Sequence, residues 1–213
     1  MSFIIERSHV IFKHLIHIGP EINVETVAEM AQRSDYITEI RHVNTPKGPL
    51  KEYLFRSKLN PQSLIVYSTK GFVIDAQPVN NVLPLFRDAY DFYEKALGDI
   101  AMTATVVMEI NVQSEVYSPI LVNEFINKMY TQHATSLKWD NKELRPNGFI
   151  LAAGSGKFPE ESIQFNVQPF PRDTEKRLIV ITLYRSTELD EALKFIEMLN
   201  SRIIETLESV RKL

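Results

Sequence analysis

The sequence predicts an α+β protein of two similar halves, each running strand, helix, three or four strands, long helix. The antiparallel strands are expected to form one curved sheet with the helices on one face. Three observations carry this. Short segments alternate apolar and polar residues, as half-buried strands do. Each half closes on a long amphipathic stretch, 81–97 and 187–211. The openings of the halves correspond at a constant offset of 94 residues: Val10, Phe12, Ile16 and Ile18 fall on Ala104, Val106, Ile110 and Val112, and His14 falls on Met108. At the same offset Glu21, Ile22 and Val27 fall on Glu115, Val116 and Leu121. The expected repeats are 1–99 and 100–213.

In the first half, 9–18 alternates with Val10, Phe12, Ile16 and Ile18 inward, and Gly19-Pro20 ends the strand. Asn23 is placed to cap a helix whose inward stripe is Val24, Val27, Ala28 and Ala31. Strands follow at 36–43 and 53–58, with 46–49 (Pro-Lys-Gly-Pro) as a loop. The segments 64–68 and 72–76 read as a hairpin around Lys70-Gly71. A helix over 81–97, with Pro84 in its first turn, stops at Gly98.

In the second half Ala104, Val106, Met108, Ile110 and Val112 alternate with polar residues in the clearest strand of the chain. Ser118-Pro119 reads as a cap and first-turn proline before a helix presenting Leu121, Val122, Phe125, Ile126 and Met129. The stretch 137–144 has no clear period. Strands are expected near 149–153, 163–167 and 178–184. Thr187 and Asp190 have capping-box spacing for a last helix with the seam Leu189, Leu193, Ile196, Ile203, Leu207 and Val210, interrupted by Asn200.

A chain of 213 residues can bury a sizeable core, and 24 basic against 27 acidic side chains give net charge −3. That balance supplies no general attraction to phosphate backbones or anionic membranes. With no cysteine, disulfides, thiol catalysis and Cys-based metal sites are excluded. Glu6 and Arg7 occupy positions where a secretory signal needs its apolar core, so a cytoplasmic location is expected. No apolar run approaches the ~20 residues that span a bilayer, and no membrane association is expected.

The order of elements, given twice, resembles the tandem saddle of the TATA-box-binding protein family. Its best local match is 63–98, where SLIVYSTKGFVIDAQ followed by a helix ending in EKALG is similar to that family's hairpin and closing helix. The resemblance implies that Tyr67 stands where the family carries a minor-groove wedge. The segment ESIQFNVQPFPRDTEKRLIVITLYR in the second half has no counterpart of the short turn or wedge.

The chemistry-bearing residues form no catalytic pattern. GSGK at 154–157 lacks the earlier glycine and the following hydroxyl of a phosphate loop, with Leu151 and Phe158 there instead. Within a strand His14 points away from His9 and His17, and the latter two stand ~26 Å apart, so they share no metal. Asp88, Asp91 and Glu94 at helical spacing read as a solvated face. No cofactor is expected. Alternation places His9, Ile11, Lys13, Leu15 and His17 on the open face, with Thr105, Val107, Glu109 and Asn111 in the second half and Gln164, Asn166 and Gln168 beside them. The expectation is a non-catalytic binding protein whose concave sheet face holds nucleic acid or protein through Lys13, His17, Tyr53, Phe55, Tyr67, Asn111, Asn166 and Gln168. The alternative is a helix-grip carrier or enzyme for a small apolar ligand between helices and sheet.

Overall fold

The computed structural model describes residues 2–34, 36–45, 48–58, 61–130, 138–139, 142–143, 147–154 and 160–213. In chain order the elements are β1 (Ile4–Ile18), α1 (Val24–Gln32), β2 (Tyr36–Thr45), β3 (Gly48–Ser57), β4 (Leu64–Ser68), β5 (Gly71–Ala76) and α2 (Val82–Leu97), then β6 (Thr105–Tyr117), α3 (Val122–Lys128), the two-residue strands β7 (Lys138–Trp139) and β8 (Lys142–Glu143), β9 (Phe149–Gly154), β10 (Ser162–Phe170), β11 (Asp173–Ser186) and α4 (Leu189–Arg211). The chain is therefore α+β. Nine strands form one antiparallel sheet in the order β2-β3-β4-β5-β1-β6-β11-β10-β9, and β7 pairs with β8 separately.

The middle of the sheet is the β1–β6 pair, in which Val10, Phe12 and His14 lie opposite Val112, Ile110 and Met108. These six are buried. The register carries the same side outward from the centre: Phe72 and Tyr67 extend the His14 row, Ile74 and Ile65 the Phe12 row, and Tyr184 follows Ile110. All are buried too, so one face of the sheet bears the core. Helix α2 packs its own buried stripe of Val82, Leu85, Phe86, Ala89, Phe92 and Tyr93 on that face, where Phe86 meets Phe12 edge to face at 5.2 Å. In the second half of the same face Tyr184 stacks on Phe195 of α4 at 4.2 Å, and Phe3 meets Phe125 of α3 at 5.1 Å. Such aromatic pairs add to the burial energy of their rings.

Local chemistry accounts for several boundaries. The Asn23 Oδ1 accepts from the Glu25 and Thr26 amides at 3.1 and 3.3 Å, satisfying two donors at the start of α1. Gly98 ends α2 with φ +57°. Gly71 opens β5 at φ +134°, and a Cβ there would run into the His14 carbonyl. Two expected caps are different. Glu188 caps α4 without a side-chain bond, and Ser186 Oγ accepts the Glu188 amide at 3.0 Å instead of a Thr187–Asp190 box. Leu121, not Ser118, is the N-cap of α3, and Ser118 Oγ folds back on Ile120.

Ile18, expected inward, is 65% exposed. A register shift between Ile16 and Ile18 turns the strand over. Strand β3 starts at Gly48, earlier than the proline cluster suggests, and Pro46 and Lys47 lie outside the described residues. Most of 137–144, and 155–157 of GSGK, also lie outside them.

Candidate functional site: the open sheet face

The buried stripes of the helices meet the face that carries Phe12 and Tyr184, so residues of the other parity form the opposite face, which carries no helix among the described residues. Tyr53, Phe55 and Tyr67 are not on it. They are 4%, 0% and 0% exposed, and the Tyr67 hydroxyl donates to the Ala89 carbonyl of α2. Tyr67 and Phe55 share a face with Phe72 and Ile65, and their rings pack together at 5.7 Å. In β4 both parities are apolar, so alternation cannot choose which one points inward. Burial pushes the Tyr67 hydroxyl well above the usual phenol range. A ring held this way cannot wedge into a partner.

Lys13, His17, Asn111, Asn166 and Gln168 share the parity of the open face. His17 and Gln168 are exposed, while Lys13, Asn111 and Asn166 are partly exposed. Lys13 Nζ lies 3.3 Å from Glu109 Oε2, and Glu109 Oε1 lies 3.5 Å from Arg185 Nε on β11. Arg177 Nε reaches Glu6 at 2.8 Å, and His9 Nε2 lies 2.5 Å from Asp75 Oδ1. Lys13, Arg177 and Arg185 are thus each matched by an acid within the face.

The part of the site that sequence reading missed is on β11. Its open parity carries Ile179, Ile181 and Leu183, the last 39% exposed. The register sets Ile179 between Glu115 and Gln168, Ile181 between Gln113 and Asn166, and Leu183 between Asn111 and Gln164. An apolar ridge therefore runs along one strand, bordered by carboxamides on the β10 side and by two carboxamides and the Glu115 carboxylate on the β6 side. Asn111 and Asn166 stand two strands apart, about 10 Å in the pairing direction. Gln168 Nε2 donates to Asn166 Oδ1 at 3.1 Å. The signal was in the sequence: Leu178–Tyr184 is apolar on both parities, unlike a strand with one wetted face.

Two depressions adjoin the ridge. One of about 440 Å³ opens at the ends of β9 and β10, lined by Tyr130, Asn147, Gly148, Phe149, Ile150, Asn166 and Gln168. Tyr130 closes one wall by donating to the Gly148 carbonyl at 2.6 Å. The other, about 130 Å³, is lined by Arg7, His9, Gln77, Gln113 and Glu115. Among the described residues, no group of three or more His, Asp or Glu is arranged to hold a metal ion. No helix among them is long and apolar enough to cross a membrane.

Comparison of the chain with protein-family models, curated proteins and solved structures finds no match.

Proposed function

We propose that this chain is a binding protein without catalysis, and that its open sheet face holds a protein partner along the β11 ridge. The observation that carries the reading is the Ile179–Ile181–Leu183 ridge on a face that bears no helix among the described residues. A strand apolar on both parities is the pattern of one covered on both sides, and among the described residues helices cover only one side of β11. The bordering amides of Asn111, Gln113, Gln164, Asn166 and Gln168 offer donors and acceptors to a backbone or polar rim.

Nucleic acid is the weaker reading. The apolar and carboxamide composition would suit a minor groove, but affinity for a duplex rests on cations available to phosphates. Here Lys13 and Arg185 flank Glu109, and Arg177 is engaged by Glu6 and by Asp173. The wedge expected at Tyr67 is in the core. The small-ligand alternative is weaker still, because Phe12, Tyr67, Phe72, Tyr93 and Phe195 fill the space between helices and sheet.

The order of the sheet is also that of two related units. Strands β1 and β6 are central, flanked by β5 and β11, then β4 and β10, then β3 and β9. A local two-fold through the His14–Met108 pair is the relation that an offset of 94 requires. Among the described residues the first half has one more strand in the sheet, β2.

A photo-crosslinking side chain at Ile181, compared with one at Glu197 on the outer side of α4, tests the proposal in the native host. The reading expects one discrete protein adduct from position 181 and none from 197. Adducts from 197 alone, or saturable, salt-sensitive binding of duplex DNA by the purified chain, would overturn it.

A further inference from the structure

We infer that β2 is a self-pairing edge, by which two copies of this chain join their sheets into one across a two-fold axis. The inference is independent of the open-face ridge, which lies on the far side of β1. Strand β2 is ten residues long, ends the sheet and pairs only with β3 among the described residues. A long edge offers a row of backbone donors and acceptors to another strand. Its side chains do not guard it in the usual way, since Ile37 and Ile40 are 49% and 54% exposed.

Symmetry narrows the registers sharply. Two adjacent antiparallel strands related by a two-fold have the axis perpendicular to the sheet, which keeps the helices of both copies on one side. Opposed residue numbers then add to an even total. With a total of 78 Glu39 faces its own copy, and with 82 Arg41 does. Like charges directly opposite are unfavourable. With a total of 80, Glu39 of each copy faces Arg41 of the other, Ile37 faces Val43, and Ile40 meets Ile40 on the axis. This register also pairs the whole of 36–44. Arg41 is bonded to Glu52 at 2.5 Å but its side chain is 55% exposed, so its guanidinium can lie between Glu52 and Glu39 of the second copy.

The absence of cysteine permits a register-specific test. Opposed Cα atoms in an antiparallel pair are about 4.5–5.5 Å apart, within disulfide reach. Ile40→Cys should therefore form a disulfide-linked dimer readily. Ile37→Cys should not, because its copies would stand six residues apart along the strands, ~20 Å. Sedimentation of the wild-type chain should give twice its mass of 24.6 kDa. Glu39→Arg should weaken the dimer about tenfold or more, and mixing it with Arg41→Glu should restore a mixed dimer in which every pair is again of opposite sign. Circular dichroism of each variant separates a broken edge from a broken fold. A wild-type chain of single mass at micromolar concentration overturns the inference. So does equal crosslinking from positions 37 and 40, or a folded Glu39→Arg variant that dimerises as tightly as wild type.

Discussion

His14 sits at the centre of the covered face, 2% exposed, stacked on Phe72 at 4.6 Å and edge-on to Tyr93 at 4.8 Å. Burial in this aromatic box lowers its pKa from 6.5 to about 4. The unfolded chain protonates His14 below pH 6.5 while the folded chain stays neutral, so the stabilisation present above pH 6.5 is lost progressively as pH falls to about 4. A shift of this size corresponds to about 3 kcal/mol. Urea titrations between pH 7 and 4 should show that loss in wild type, and His14→Phe should flatten it by most of that amount. Tyr67 makes the complementary case. Tyr67→Phe should cost about 1 kcal/mol by removing one buried hydrogen bond to the Ala89 carbonyl, whereas Tyr67→Ala should cost about 4 kcal/mol by opening a cavity. Thermal melts distinguish the two, and the mild variant should leave partner binding unchanged because the ring touches only the core.

At the scale of elements, most strands and all four helices were legible. Period alone separates Val10–Ile16 from Val24–Ala31, and Gly98 and Asn23 mark ends by chemistry that a sequence displays. Asn23→Ala should remove two bonds to the first turn of α1 and cost about 1 kcal/mol by denaturant unfolding. Gly71→Ala should be far more damaging, since a Cβ there meets the His14 carbonyl and φ is +134°. What failed was information carried by neighbours. The bulge after Ile16 depends on pairing with β6, and it turned Ile18 outward. The capping-box spacing at Thr187 was overridden because Ser186, already fixed at the end of β11, reaches the Glu188 amide first.

For the whole molecule, the decisive quantity is which face of each strand is covered. Where polar and apolar residues alternate, as on β10 and the later part of β6, the pattern alone puts Asn111, Asn166 and Gln168 on the open side. Strands β4 and β11 are apolar on both parities, and there only the register assigns a side: Tyr67 falls inward and Ile181 outward. The same ambiguity that hid Tyr67 concealed the ridge. Ile181→Asp should leave the fold intact, with a stability change of about 1 kcal/mol or less, as expected of a partly exposed position. It should abolish the adduct from a crosslinker placed at Leu183. The most direct measurement is carbene footprinting of the chain, purified and inside its host cell. Ile179, Ile181 and Leu183 should be labelled in the purified protein and lose that labelling in the cell, with Phe12 and Tyr67 unlabelled in either. Equal labelling of the ridge in both settings, or protection confined to the outer surfaces of α2 and α4, would contradict binding on the open face.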